Sequence, residues 1–191
     1  MKFFKFKYEQ CTAEEFVDFW KRFYDEGKYP DEEYKEHLNE NGLLERDKIQ
    51  RLWEWKNGTP LSEKKQPIIE RTIEKLPEIN RYRSLNEITE DDIRNLRQVA
   101  EYITNGFIWQ IFVLHMAKPK YFPIFDQHVF RAFKYLTTGK LVERRNYSFD
   151  VDYMNYRRHF FELVELSKKR IREVDQALMA FGQYLPNYSL L

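Results

Sequence analysis

The chain has 191 residues, 42% of them apolar and 17% aromatic, which is ample for a packed core in one domain or two small lobes and excludes a disordered protein. A single cysteine, Cys11, excludes an intramolecular disulfide, a Cys-rich zinc site and a four-cysteine iron–sulfur cluster. The formal charge is +1, and although residues 101–191 carry 13 Lys and Arg against 9 Asp and Glu, that falls far short of the basic footprint of a non-specific DNA binder.

Along the chain, MKFFKFKYEQ lacks the apolar stretch and small-residue cleavage site of a secretory signal, and later apolar runs are short and broken by charge. A soluble, cytoplasmic protein is expected, nucleoid-associated if bacterial. In FFKFKY, Phe4, Phe6 and Tyr8 alternate with Lys5 and Lys7, the pattern of one short strand. With only 6 Gly and 7 Pro, most of the remainder reads at helical period, so the fold class is all-α, a compact two-lobed helical bundle.

Thr12 and Glu15 have capping-box spacing ahead of Phe16, Phe19, Trp20 and Phe23, predicting a helix from Ala13 to Asp25. Helices follow over Glu32 to Asn39 and Leu43 to Lys56, the second turning Leu44, Ile49, Leu52, Trp53 and Trp55 inward, with Asn57-Gly58-Thr59-Pro60 as the break. Pro67 to Lys75 is helical. After Pro77, INRYRSLNEI reads as a polar connection. Thr89 opens a helix with Ile93, Leu96, Val99, Ala100 and Ile103 on one face.

The most informative stretch comes next. Asn105-Gly106 forms a turn into an apolar helix, Phe107 to Lys118; a Pro-containing loop follows, and Asp126 opens another helix twenty residues after Gly106. Further helices are expected over Gln127 to Leu136, Tyr153 to Leu166 and Lys169 to Tyr184, with Pro186 as terminator. His115 and His128 sit in no metal-ligand array, so no metal is expected and the histidines read as core or surface residues. No P-loop or Rossmann glycine pattern is present.

Helix, turn, helix, loop and an acidic residue in this order resemble the helix-hairpin-helix DNA glycosylase superfamily, endonuclease III-like. Asp126-Gln127-His128-Val129-Phe130-Arg131 looks like that family's Asp-x-His-Val-x-Arg, and Pro123-Ile124 matches its preceding Pro and aliphatic residue. Residues 175–184 are similar to the segment where the family's last core helix uses a glycine, here Gly182, for close packing. The two segments cover roughly residues 89–184, with 1–88 as an N-terminal helical part of the same unit.

The resemblance implies a catalytic carboxylate at Asp126 and a turn, Asn105, Gly106, Phe107 and Ile108, whose amides meet a DNA phosphate. Trp109, Gln110, His128 and Arg131 are then candidates for the base pocket or for phosphate contacts. The chain departs from the pattern at Thr104, where the hairpin's first glycine would stand, in lacking its Leu-Pro, and at Ile108, where the family's lyase lysine would stand. The iron–sulfur subgroup is excluded. The expected activity is monofunctional cleavage of the N-glycosidic bond of a damaged or modified base, without cofactor, on duplex DNA, by a monomer that engages no membrane. Two other readings remain open: a non-catalytic DNA-binding relative that uses the turn only as a phosphate grip, and a helical interaction protein with no nucleic-acid role.

Overall fold

The computed structural model describes residues 11–39, 42–142 and 146–188. The expected FFKFKY strand lies outside them. Among the described residues the chain is all-α, with no strand and ten α-helices: α1 (Ala13–Trp20), α2 (Asp31–Leu38), α3 (Ile49–Asn57), α4 (Pro67–Glu74), α5 (Leu76–Ser84), α6 (Glu90–Ile103), α7 (Phe107–Ala117), α8 (Gln127–Thr138), α9 (Met154–Ser167) and α10 (Ile171–Tyr188). No helix among the described residues is long and apolar enough to cross a membrane. The helices form two compact units. A middle unit spans Asp25–Asp126, and a flanking unit is built from Met1–Tyr24 with Gln127–Leu191. The expected segment 89–184 is therefore shared between units.

In the flanking unit, α1 starts at the Thr12 capping box: the Glu15 amide donates to the Thr12 hydroxyl at 3.2 Å and the Thr12 amide to the Glu15 carboxylate at 2.7 Å. The apolar stripe of α1 packs on α10. Phe16 meets Phe181 edge-on at 5.3 Å, and Trp20 lies 4.9 Å from Phe181 and 5.1 Å from Tyr184. The helix ends earlier than Asp25: a single 3₁₀ turn, Lys21–Phe23, tightens its last residues.

Helix α10 crosses α8 at Gly182, where a methyl group would stand 1.9 Å from the His128 carbonyl oxygen and 3.0 Å from its Cα. Only a residue without Cβ permits this approach. Pro186 does not terminate α10, which runs on to Tyr188. A proline four residues after Gly182 has no N–H to offer the Gly182 carbonyl, and the Arg131 guanidinium of α8 donates to that oxygen instead at 2.7 Å.

In the middle unit, α7 is apolar on all sides, and every residue from Ile111 to Ala117 is buried, as befits a central helix. Trp53 of α3 is fully buried; its indole N–H donates to the Thr72 hydroxyl of α4 at 3.0 Å, and its ring stacks 5.1 Å from Trp109 of α7. Leu44, Ile49, Leu52 and Trp55 are also buried. Helix α3 nonetheless begins only at Ile49, because the side-chain amide of Asn80 pairs with both the Leu44 N–H (2.8 Å) and its carbonyl (3.0 Å), holding that backbone outside the helix.

Asn80 belongs to α5, which corrects the expectation of a polar connection after Pro77. The proline sits in the first helical turn, where a missing N–H costs nothing, and Ile79 and Tyr82 are buried at helical spacing. The polar residues that disguised this helix bond main chain elsewhere in the unit. Arg83 donates to the carbonyls of Gly42 (2.7 Å), Leu38 (2.9 Å), Asn39 and Met116, tying the ends of α2 and α7 together.

Candidate functional site

The hairpin is α6, a three-residue turn and α7, all in the middle unit. Helix α6 opens at a second capping box, Thr89 with Asp92, and stops at Thr104, whose backbone is extended. The turn is closed by side chains as well as backbone. The Gly106 amide donates to the Thr104 hydroxyl at 3.3 Å, the Gln110 side chain to the Thr104 carbonyl at 2.9 Å, and the amides of Trp109 and Gln110 to the Gly106 carbonyl at 2.9 Å. Gly106 has φ −85°, which any residue adopts; glycine serves here for room, since a Cβ would meet Trp109 Cδ1 at 3.3 Å. Asn105 and Gly106 are exposed, Phe107 and Ile108 half-buried, and α7 begins without a side-chain cap, so the positive end of its dipole faces the turn.

Asp126 closes the 118–126 loop, immediately before α8. Its position relative to the hairpin is set by aromatic packing: Phe107, the first residue of α7, meets Phe125 edge-on at 5.8 Å. The Asp126 side chain is 16% exposed. Lys56 of α3, only 8% exposed, points its ammonium at Asp126 Oδ2 at 4.0 Å, donates to the Phe125 carbonyl at 3.3 Å and lies 5.8 Å from the Phe112 ring centre. Lys56 was not among the expected site residues. It sits seventy residues before Asp126, and nothing in its neighbourhood of Trp53, Trp55 and Asn57 marks it out.

The remaining candidates are drawn into packing. Trp109 stacks on Trp53 and carries the Lys65 ammonium 4.5 Å above its ring, so it is part of an aromatic and cation–π cluster. Gln110 spends its amide on the turn. His128 Nδ1 lies 3.1 Å from Arg131 Nη1, an i, i+3 brace along α8. Arg131 is 5% exposed and engaged with Gly182, which corrects the expectation of a phosphate contact: a guanidinium that deep and so bonded cannot reach a DNA backbone.

His115 is likewise a core residue. Its Nε2 is 2.6 Å from the Tyr34 hydroxyl and its Nδ1 2.7 Å from the Phe122 carbonyl, so the ring donates to Phe122 and accepts from Tyr34. Among the described residues no group of three or more His, Cys, Asp or Glu is placed to hold a metal ion. Lys169 is committed to Glu14 (2.9 Å) and Asp18 (2.8 Å) in the flanking unit. Comparison of the chain with protein-family models, with curated proteins and with solved structures finds no match.

Proposed function

We propose that the chain is a DNA N-glycosylase-like protein of base-excision repair, which hydrolyses the bond between deoxyribose and a damaged or modified base with Asp126 as the catalytic carboxylate. The observation that carries this reading is the contact of Phe107 with Phe125, which keeps the residue next to Asp126 against the first residue of the hairpin's second helix. A phosphate gripped at Asn105–Ile108 and a sugar beside Asp126 would then belong to one bound strand.

Cleaving an N-glycosidic bond builds positive charge on the sugar, and a carboxylate stabilises that oxocarbenium-like transition state or activates a water. The nucleotide must first leave the stack. Ile108 supplies no amine at the hairpin, and Lys56 is the ion-pair partner of Asp126, so water is the nucleophile and cleavage is monofunctional. The partner is duplex DNA and the acting species a monomer.

The second reading, a DNA-binding relative without catalysis, draws on the same ion pair, because the ammonium of Lys56 gives Asp126 a purely structural partner. Excision assays over a panel of lesion-bearing duplexes decide between them. Wild-type protein is expected to release base from at least one duplex, and Asp126→Asn to slow release by about a hundredfold or more. Borohydride is expected to trap no covalent adduct. Wild-type binding to every duplex with no base released from any would leave only the grip.

A further inference from the structure

The middle unit contains a cavity of about 800 Å³ at the C-terminal end of α5 and the start of the loop after α7. Asp126 does not line it. Arg83, Lys118 and Lys120 supply three basic side chains to its wall and Glu87 one carboxylate. Leu43, Ile88 and Tyr121 contribute apolar and aromatic surface, and Asn86 an amide. This volume and this mixture of apolar wall with a few fixed polar groups are those of a small-molecule site.

The basic groups are held in place by main chain. Arg83 is fixed by its four carbonyl partners. Lys118 Nζ donates to the carbonyl of Arg83 at 3.3 Å and to that of Leu85, capping the C-terminus of α5. An ammonium has three N–H donors, so one remains for the cavity. Burial first, and the nearby Arg83 charge second, push the Lys118 amine below its ordinary pKa. Both influences act against positive charge, as expected of an ammonium short of a counter-ion.

We propose that this cavity is a second binding site, taking an organic anion of about mononucleotide size whose phosphate or carboxylate head sits on Lys118 while its ring lies against Tyr121 and Ile88. The head supplies the counter-charge; the ring removes apolar wall from water. The site is independent of the chemistry assigned to Asp126.

The test is amide NMR of the full chain titrated separately with adenosine 5′-monophosphate, 2-naphthoate, inorganic phosphate and uncharged adenosine. Saturable shifts are expected at Ile88, Lys118 and Tyr121 with at least one organic anion, with adenosine at least about tenfold weaker, since a charge-assisted hydrogen bond is lost. Whichever of the nucleotide and the naphthoate saturates first is the better model of the ligand, head and ring together. Lys118→Met is expected to weaken the anion about tenfold and leave adenosine unchanged. Because Lys118 also caps α5, Ile88→Trp provides a second variant that narrows the cavity where the ring would lie while keeping the ammonium, and it should weaken binding of the organic anion. No saturable shift with any anion, shifts mapping away from the cavity, or undiminished binding in folded Ile88→Trp would each overturn the proposal.

Discussion

At the scale of single residues, the informative set is Gly182, Pro186 and Arg131. Pro186 removes the donor that the Gly182 carbonyl would receive inside a helix, and Arg131 replaces it from another helix. Arg131→Leu should therefore leave a buried carbonyl unsatisfied and cost about 1–3 kcal/mol in urea unfolding. Adding Pro186→Ala to that variant restores a backbone N–H at the right place and should return about 1 kcal/mol, whereas Pro186→Ala alone should gain little. If the double variant recovers nothing, the replacement argument is wrong. Gly182→Ala should cost about 3 kcal/mol or more by the same measurement, because the clash is with backbone and cannot be relieved by a rotamer change. Gly182 was legible in the sequence as a close-packing glycine, whereas Pro186 read as the terminator of a helix that runs on to Tyr188. The bond of the Gly182 carbonyl to a side chain fifty-one residues away was not, so Arg131 read as a candidate phosphate contact.

At the scale of elements, legibility followed the range of the interactions. The capping boxes at Thr12 and Thr89, the apolar stripes of α1 and α6 and the continuous apolar run of α7 are local, and they placed those helices to within a few residues. Helix α5 escaped because Asn80 and Arg83 look like loop residues until their partners at Leu44, Leu38 and Met116 are in view. The docking of α1 onto the start of α10 also has an electrostatic part. Ammonium groups of Lys169 and Lys21 hold the Asp18 carboxyl down at about 2, and Arg170 with Lys21 holds that of Glu173 at about 2, below ordinary values of 3.8 and 4.5. Carboxyls depressed in the folded state lend stability that is complete above their unfolded values and is lost as pH falls through the folded ones. Stability of α1, followed by hydrogen exchange of its amides, should therefore fall on acidification between about pH 4.5 and 2, and Asp18→Asn with Glu173→Gln should flatten that slope. An unchanged slope would remove the network from any account of α1 docking.

At the scale of the whole molecule, the middle unit is one continuous segment, whereas the flanking unit draws on chain from both sides of it. Joining α1 to α10 means closing a loop that contains residues 25–126, and the entropy of closure grows with loop length. Pulsed hydrogen exchange during refolding should show amides of α6 and α7 protected before those of α1. Earlier or simultaneous protection of α1 would mean that its docking does not wait for the inserted segment. The sequence led to an expectation of two lobes but not to this division, since composition shifts only mildly along the chain and no linker separates the units. The candidate carboxylate was legible through its spacing from Gly106, but the contact of Phe107 with Phe125 and the ion pair with Lys56 were not, since ring packing and an ion pair across seventy residues leave no local pattern.

The aromatic packing also gives the two units different optical properties. The near-parallel indoles of Trp53 and Trp109, 17° apart in plane and 5.1 Å apart, are close enough for their electronic transitions to couple, while Trp20 sits alone among phenyl and phenol rings in the other unit. Near-ultraviolet circular dichroism would carry the signature of the coupled pair, so its loss reports loosening of the middle unit without any added label.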